Sequence, residues 1–151
     1  MLNRFKKSSL LALVAGLSLA SSFTYAVEKS HPIDAKTDAC LEKNDSTAGM
    51  IECSVQAEQL WDAELNRVYK ALRSKLNANA KKQLKDAQLQ WLKYRNAEFE
   101  AIKGIYKGIY DAMGGGTMWG MIAVGARAEI VKKRVLVLTG YLADFNPESA
   151  N

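Results

Sequence analysis

Cysteine, histidine and proline are nearly absent from this chain: Cys40, Cys53, His31, Pro32 and Pro147 are all that 151 residues provide. The one histidine, His31, falls in the N-terminal leader, which argues against a serine or cysteine triad, and alone it supplies no ligand set for zinc. Strand-like alternation is missing, and so is any repeat of solenoid length. No apolar run reaches the roughly 20 residues of a membrane-spanning helix. Gly114-Gly115-Gly116 lacks the Lys-Ser/Thr element of a phosphate loop, so it reads as a helix stop. The lysines are scattered and form no phosphate-facing stripe, which argues against nucleic acid. No cofactor is expected, and no catalytic set emerges.

What is present begins with an export signal over residues 1–26. Arg4, Lys6 and Lys7 precede the short apolar run Leu10–Ala20, and Ser21–Ala26 ends in a small residue. Cleavage after Ala26 is preferred, with Ala20 as the second choice. A periplasmic or secreted product follows, without stable membrane insertion once the signal is removed. No cysteine lies near the cut, so no lipid anchor is expected. Losing three cations lowers the formal charge from +5 to +2. The remainder is uneven: residues 27–64 carry nine acidic and three basic side chains, and 65–151 carry seven acidic and fifteen basic. Either the acidic front neutralises the basic helices behind it, or the two regions meet different partners.

Two cysteines in an oxidising compartment imply a Cys40–Cys53 disulfide. Closing a loop of this size is worth about 3 kcal/mol. Residues 27–47 read as an irregular leader, extended at Ser30–Ile33 before and after Pro32, with at most a turn near Asp38–Leu41. His31 reads as a solvated leader residue. Ser46 or Thr47 caps a helix over 48–76, with Cys53, Ala57, Trp61, Leu65, Val68 and Leu72 on its apolar face. After a break at Asn77–Asn79, a second helix runs from Ala80 to Met113. Trp61 and Trp91 are expected to face each other. Gly104 and Gly108, four apart in KGIYKGIY, suit close packing against a neighbour. Thr117 caps a third helix ending near Leu142. One of its seams runs through Val131, Val135 and Leu138, and a second through Met118, Ile122, Gly125 and Glu129. The domain thus spans 48–142, with a flexible tail over 143–151. The fold class is all-α: a small antiparallel bundle of three long helices with a disulfide-tethered N-terminal segment.

The stretch Leu84–Glu98 breaks the rule that a packed face excludes charge. Leu84, Ala87, Trp91 and Ile102 share one side, yet Gln88, Arg95 and Glu98 fall in or beside that stripe. Glu129 continues the second seam of the last helix. Gln88, Arg95, Glu98 and Glu129 are therefore expected to form one interior polar cluster that fixes helix register.

The same stretch carries a family resemblance. Ala87-Gln88, Trp91 and Tyr94-Arg95, with Leu65-Asn66 and Tyr69, the pair Cys40 and Cys53, and Gly115-Gly116-Thr117 followed by Arg134, resemble the lysozyme inhibitor LprI-like family over roughly Cys40–Leu142. Many members have a second cysteine pair, but the matching positions here are Phe99 and Ala126. The resemblance implies a binding protein, not an enzyme, and a partner that is lysozyme or another envelope protein. An inhibitor must cover the muramidase cleft. The turn Gly115, Gly116, Thr117 and Trp119, with backbone donors and an exposed aromatic, is the expected contact. The alternative is a non-inhibitory envelope or stress-related adaptor that binds a protein or cell-wall fragment.

Overall fold

The computed structural model describes residues 30–145; the signal expected over 1–26 and most of the expected tail lie outside them. Four helices follow in order: α1 (Pro32–Leu41), α2 (Thr47–Lys75), α3 (Ala78–Ala112) and α4 (Met118–Ala143). The three long helices fall within two residues of the expected boundaries. The leader differs, because Pro32–Leu41 within it form α1. His31 is extended, as a residue before proline should be, but it acts as the N-cap: its Nδ1 accepts from the Ile33 amide at 3.2 Å. Pro32 then takes the first helical position, where its missing N–H costs nothing. A histidine cap is uncommon, which hid this helix from sequence reasoning.

Ser46 caps α2 by accepting from the Gly49 amide, and Asn77 caps α3 by accepting from the Ala80 amide. Thr117 does not cap α4; it sits in helical conformation, and its hydroxyl donates instead to Thr47 at 3.3 Å.

α2 and α4 lie side by side and parallel, in the most extensive helix contact of the molecule. Thr117 is 70 residues from Thr47, and Arg127 is 69 from its partner Glu58. The buried positions keep that offset: Trp61, Leu65 and Val68 on α2 correspond to Val131, Val135 and Leu138 on α4. Each set recurs at alternating three- and four-residue steps, the seam of a two-helix coil. Apolar burial along it is the main stabilising contribution of the fold. α1 runs antiparallel to α2, with Cys40 bonded to Cys53 at a Cα separation of 5.8 Å. At the other end of α1, Ile33 enters the core. Gly49 permits this junction, since a Cβ there would lie 2.8 Å from the Asn44 side chain.

α3 runs antiparallel to the pair but joins it differently. Ile102 is its only buried residue; Leu84, Trp91 and Phe99 rest half-buried on the core. It packs on α4 and hardly on α2. Trp61 and Trp91 consequently do not face each other: Trp61 stacks on His31 at 4.5 Å between ring centroids, whereas Trp91 lies under Arg95 and Arg134. A Cβ added at Gly104 or Gly108 would meet nothing within 4 Å, so both glycines are open and not close-packed. The second seam of α4 also points outward, with Met118 and Glu129 exposed, because α3 reaches α4 on another flank through Arg127 and Arg134.

Candidate functional site

Polar ties attach α3 to the α2–α4 pair. Arg95 Nη1 reaches Asp62 on α2 at 3.3 Å, and its other nitrogens donate to Asn96. Arg134 Nε donates to Gln88 Oε1 at 3.1 Å. Burial pulls the Arg134 guanidinium below its ordinary value, with a smaller opposing effect from Tyr141. Arg127 Nη2 donates to Glu58 at 2.8 Å, and its guanidinium carbon sits 4.6 Å from the centre of the Phe99 ring. Arg95 approaches the same ring at 5.6 Å. Phe99 is thus flanked by two cations whose partners both lie on α2.

The four residues expected to cluster are therefore divided. Arg95 and Gln88 each bridge helices, but to Asp62 and Arg134. Glu98 is half-buried and makes no hydrogen bond or ion pair with a described residue. Glu129 is exposed on α4, where its charge helps raise the Lys132 ammonium after the larger effect of Asp34. The expected meeting of Arg95 with Glu98 and Glu129 does not occur, because α4 turns its Glu129 side away from α3.

Asp62, Glu58, Arg127, Asp34 and Lys132 were missed by sequence reasoning. A partial signal existed in the acidic front and basic back. Three ion pairs join different helices, Asp34–Lys132, Glu58–Arg127 and Asp62–Arg95, and each links one region to the other. Neutralisation is thus the observed use of at least these charges.

Along α3 lies a chain of three depressions of about 590, 650 and 390 Å³, the first between α3 and α4, the second among α2, α3 and α4, and the third between α2 and α3. Phe99 and Arg127 wall both the first and the second; Asp62, Asn66 and Arg95 wall both the second and the third. The first is aromatic and adjoins the glycine turn; the second is ringed by Glu58, Asp62, Arg95 and Arg127, and the third mixes Leu65, Tyr69, Leu89 and Leu92 with polar side chains.

The turn is a built structure. Gly114, Gly115 and Gly116 have φ of 72°, 106° and 121°, a left-handed run open to glycine and strained for other residues. The Gly115 amide donates to the Tyr110 carbonyl at 2.8 Å, and Trp119 Nε1 donates to the Gly115 carbonyl at 3.2 Å. A Cβ at Gly116 would lie 3.3 Å from that indole. Trp119 was expected to be exposed; it is half-buried because its N–H closes the turn. Gly116, Thr117, Met113 and Met118 are exposed around it.

Among the described residues no helix is long and apolar enough to cross a membrane, and no three His, Cys, Asp or Glu side chains gather as a metal site. A family model described as "Lysozyme inhibitor LprI" matches residues 39–138. No curated protein matches. The crystal structure of an uncharacterized protein from Burkholderia thailandensis is similar, with 30% identity and a TM-score of 0.65, covering 75% of this chain and 54% of that one. The chain thus spans about half the length of that solved protein. The tethered helical bundle and the match across α2, α3 and most of α4 lead to one assignment: the chain belongs to the lysozyme inhibitor LprI family.

Proposed function

We propose that this is an exported, non-enzymatic binding protein that inhibits a lysozyme by pressing its glycine turn into the muramidase cleft. The observation carrying the reading is the braced protrusion at Gly114–Thr117, held by Tyr110, Trp119 and Thr47 and rimmed by exposed Met113 and Met118. Glycosidases of this kind work with two carboxylates flanking the bond to be cut. α4 begins beside the turn without a side-chain cap, leaving its first amides free of that competitor. Open amides at a helix N-terminus suit carboxylates. A turn already fixed in shape loses little freedom on binding. Gly115, Gly116 and Thr117 make the contact in this reading, and Trp119 acts as a strut that keeps them in place.

The test is titration of the purified chain, lacking residues 1–26, against several lysozymes. Saturable inhibition is expected, falling at least about tenfold in Met118→Glu and Gly116→Ala with helical content unchanged. An absence of inhibition and of binding at high micromolar concentration would contradict the proposal and favour a non-inhibitory envelope adaptor.

A further inference from the structure

We propose that the aromatic depression beside the turn is a second binding site, one that takes a carboxylate-bearing saccharide. Its volume of about 590 Å³ falls in the range of small-molecule sites, roughly 300–1,000 Å³. Phe99, Tyr106, Tyr110 and Trp119 supply four aromatic side chains to one groove. Two of them lie against the glycine turn. A Cβ at Gly115 would sit 3.7 Å from the Tyr110 ring, and the Trp119 indole is tied to the Gly115 carbonyl. The turn therefore does more than reverse the chain: it sets the end wall of the groove.

The rim is cationic. Lys103, Lys107 and Arg127 line the groove against a single lining carboxylate, Glu100. Lys103 lies 3.9 Å from Glu100, and Lys107 pairs with Asp111 outside the lining; both pairs are solvent-exposed and readily exchanged. Arg127 is under-used. Its Nη2 serves Glu58, but its Nε is buried with no acceptor among the described residues, while 40% of the side chain stays open. A buried donor without a partner is unfavourable. A small rotation that brought Nε to a ligand oxygen would relieve it.

The shape selects the ligand class. Helices wall the groove, and their backbone groups are already bonded within each helix. An extended peptide would find no strand edge to pair with and would bury its own amides unsatisfied. A pyranose has no such demand: its flat C–H face rests on aromatic rings while hydroxyls and a carboxylate reach the rim. The cations favour an acidic sugar over a neutral one. This site does not depend on lysozyme inhibition and stands or falls separately.

The probe is the disaccharide of N-acetylglucosamine and N-acetylmuramic acid, compared with neutral di-N-acetylchitobiose, by calorimetry and by NMR of the chain lacking residues 1–26. Expected are saturable binding of the acidic sugar, about tenfold tighter than the neutral one, and a shift of the Trp119 indole signal. Tyr106→Ala and Arg127→Lys should each weaken binding at least about fivefold with helicity retained; Tyr106→Ala serves as the independent variant if Arg127→Lys loosens the α2–α4 tie. No saturation by about 10 mM would overturn the proposal, as would equal affinity for both sugars or shifts confined to residues away from the groove.

Discussion

The α2–α4 pair and α3 are built on different physics. Along α2 and α4 the central seam is apolar, with Val68, Val135 and Leu138 fully buried, and the contacts of Thr117 with Thr47 and of Arg127 with Glu58 lie beside it. α3 is the longest of the four helices, yet only Ile102 is buried on it; Leu84, Trp91 and Phe99 rest half-buried on the core, and guanidinium contacts gather at Phe99, Trp91 and Gln88. Apolar burial gives stability without much choice of direction, whereas the polar ties choose a register at little net gain. The molecule therefore separates a scaffold, α2–α4 with α1 clamped on it, from an attached helix that leaves a cleft. The candidate contacts all lie where that attached helix ends.

The largest effect should come from the scaffold. Leu138→Ala is expected to lower unfolding free energy by about 2–5 kcal/mol, measured by chemical denaturation. Leu89→Ala on α3, where the side chain is 47% exposed, should change it by no more than about 0.5 kcal/mol. Equal losses at the two sites would erase the contrast between scaffold and attached helix.

Next is the disulfide. Replacing Cys40 and Cys53 by serine should cost about 3 kcal/mol, the loop spanning 13 residues. Hydrogen exchange should show α1 losing protection first. Uniform loss across all four helices would mean that α1 is integral to the scaffold instead of clamped to it.

The Arg95 tie should matter less. A fully buried guanidinium stripped of its partners would cost about 3–5 kcal/mol to break, but Asp62 is 48% exposed. Arg95→Met is therefore expected to cost about 1 kcal/mol or less in denaturation, while increasing exchange in α3 more than in α4.

The smallest effect is in acid. Glu64 is held below the usual carboxylate range, first by its hydrogen bond from Arg67, then by the charges of Arg67 and His31, with burial opposing. A lowered folded value means that this contribution is present above the ordinary value of 4.5 and is lost as pH falls below it. Because Arg67 is mostly exposed, the contribution should be under about 1 kcal/mol. Glu64→Gln should lower stability by that small amount near neutrality and remove the corresponding loss below pH 4.5, so that the two profiles converge in acid.

Much of this architecture was legible from residue spacing. The α2 face from Cys53 to Leu72 was readable because a one-sided stripe of large apolar residues has few helical alternatives. Capping chemistry was legible at Ser46, failed at Thr117, and missed Asn77 and His31. Partners of charged residues were not legible. Arg95 had to be matched to a carboxylate on another helix, and that choice depends on the rotation and offset of helices, which intrahelical periodicity does not contain. Asp62 and Glu129 were equally available in sequence; the rotation of α4, which leaves Glu129 exposed while Asp62 meets Arg95, separates them. Trp119 shows a third kind of limit. Its indole N–H is taken up by a carbonyl four residues earlier, a local bond that depends on three successive left-handed glycines.

Residue-resolved hydrogen exchange, with and without a saturating lysozyme, probes the scaffold and the attached helix together. In the free protein, α2 and α4 amides should exchange only through global unfolding, and amides over 103–112 should open at distinctly lower free energy. Adding lysozyme should slow exchange over 113–120 and leave the outer face of α1 unchanged. Uniform protection in the free protein, with lysozyme protecting α1 or nothing at all, would contradict both the division of labour between helices and the placement of the contact at the turn.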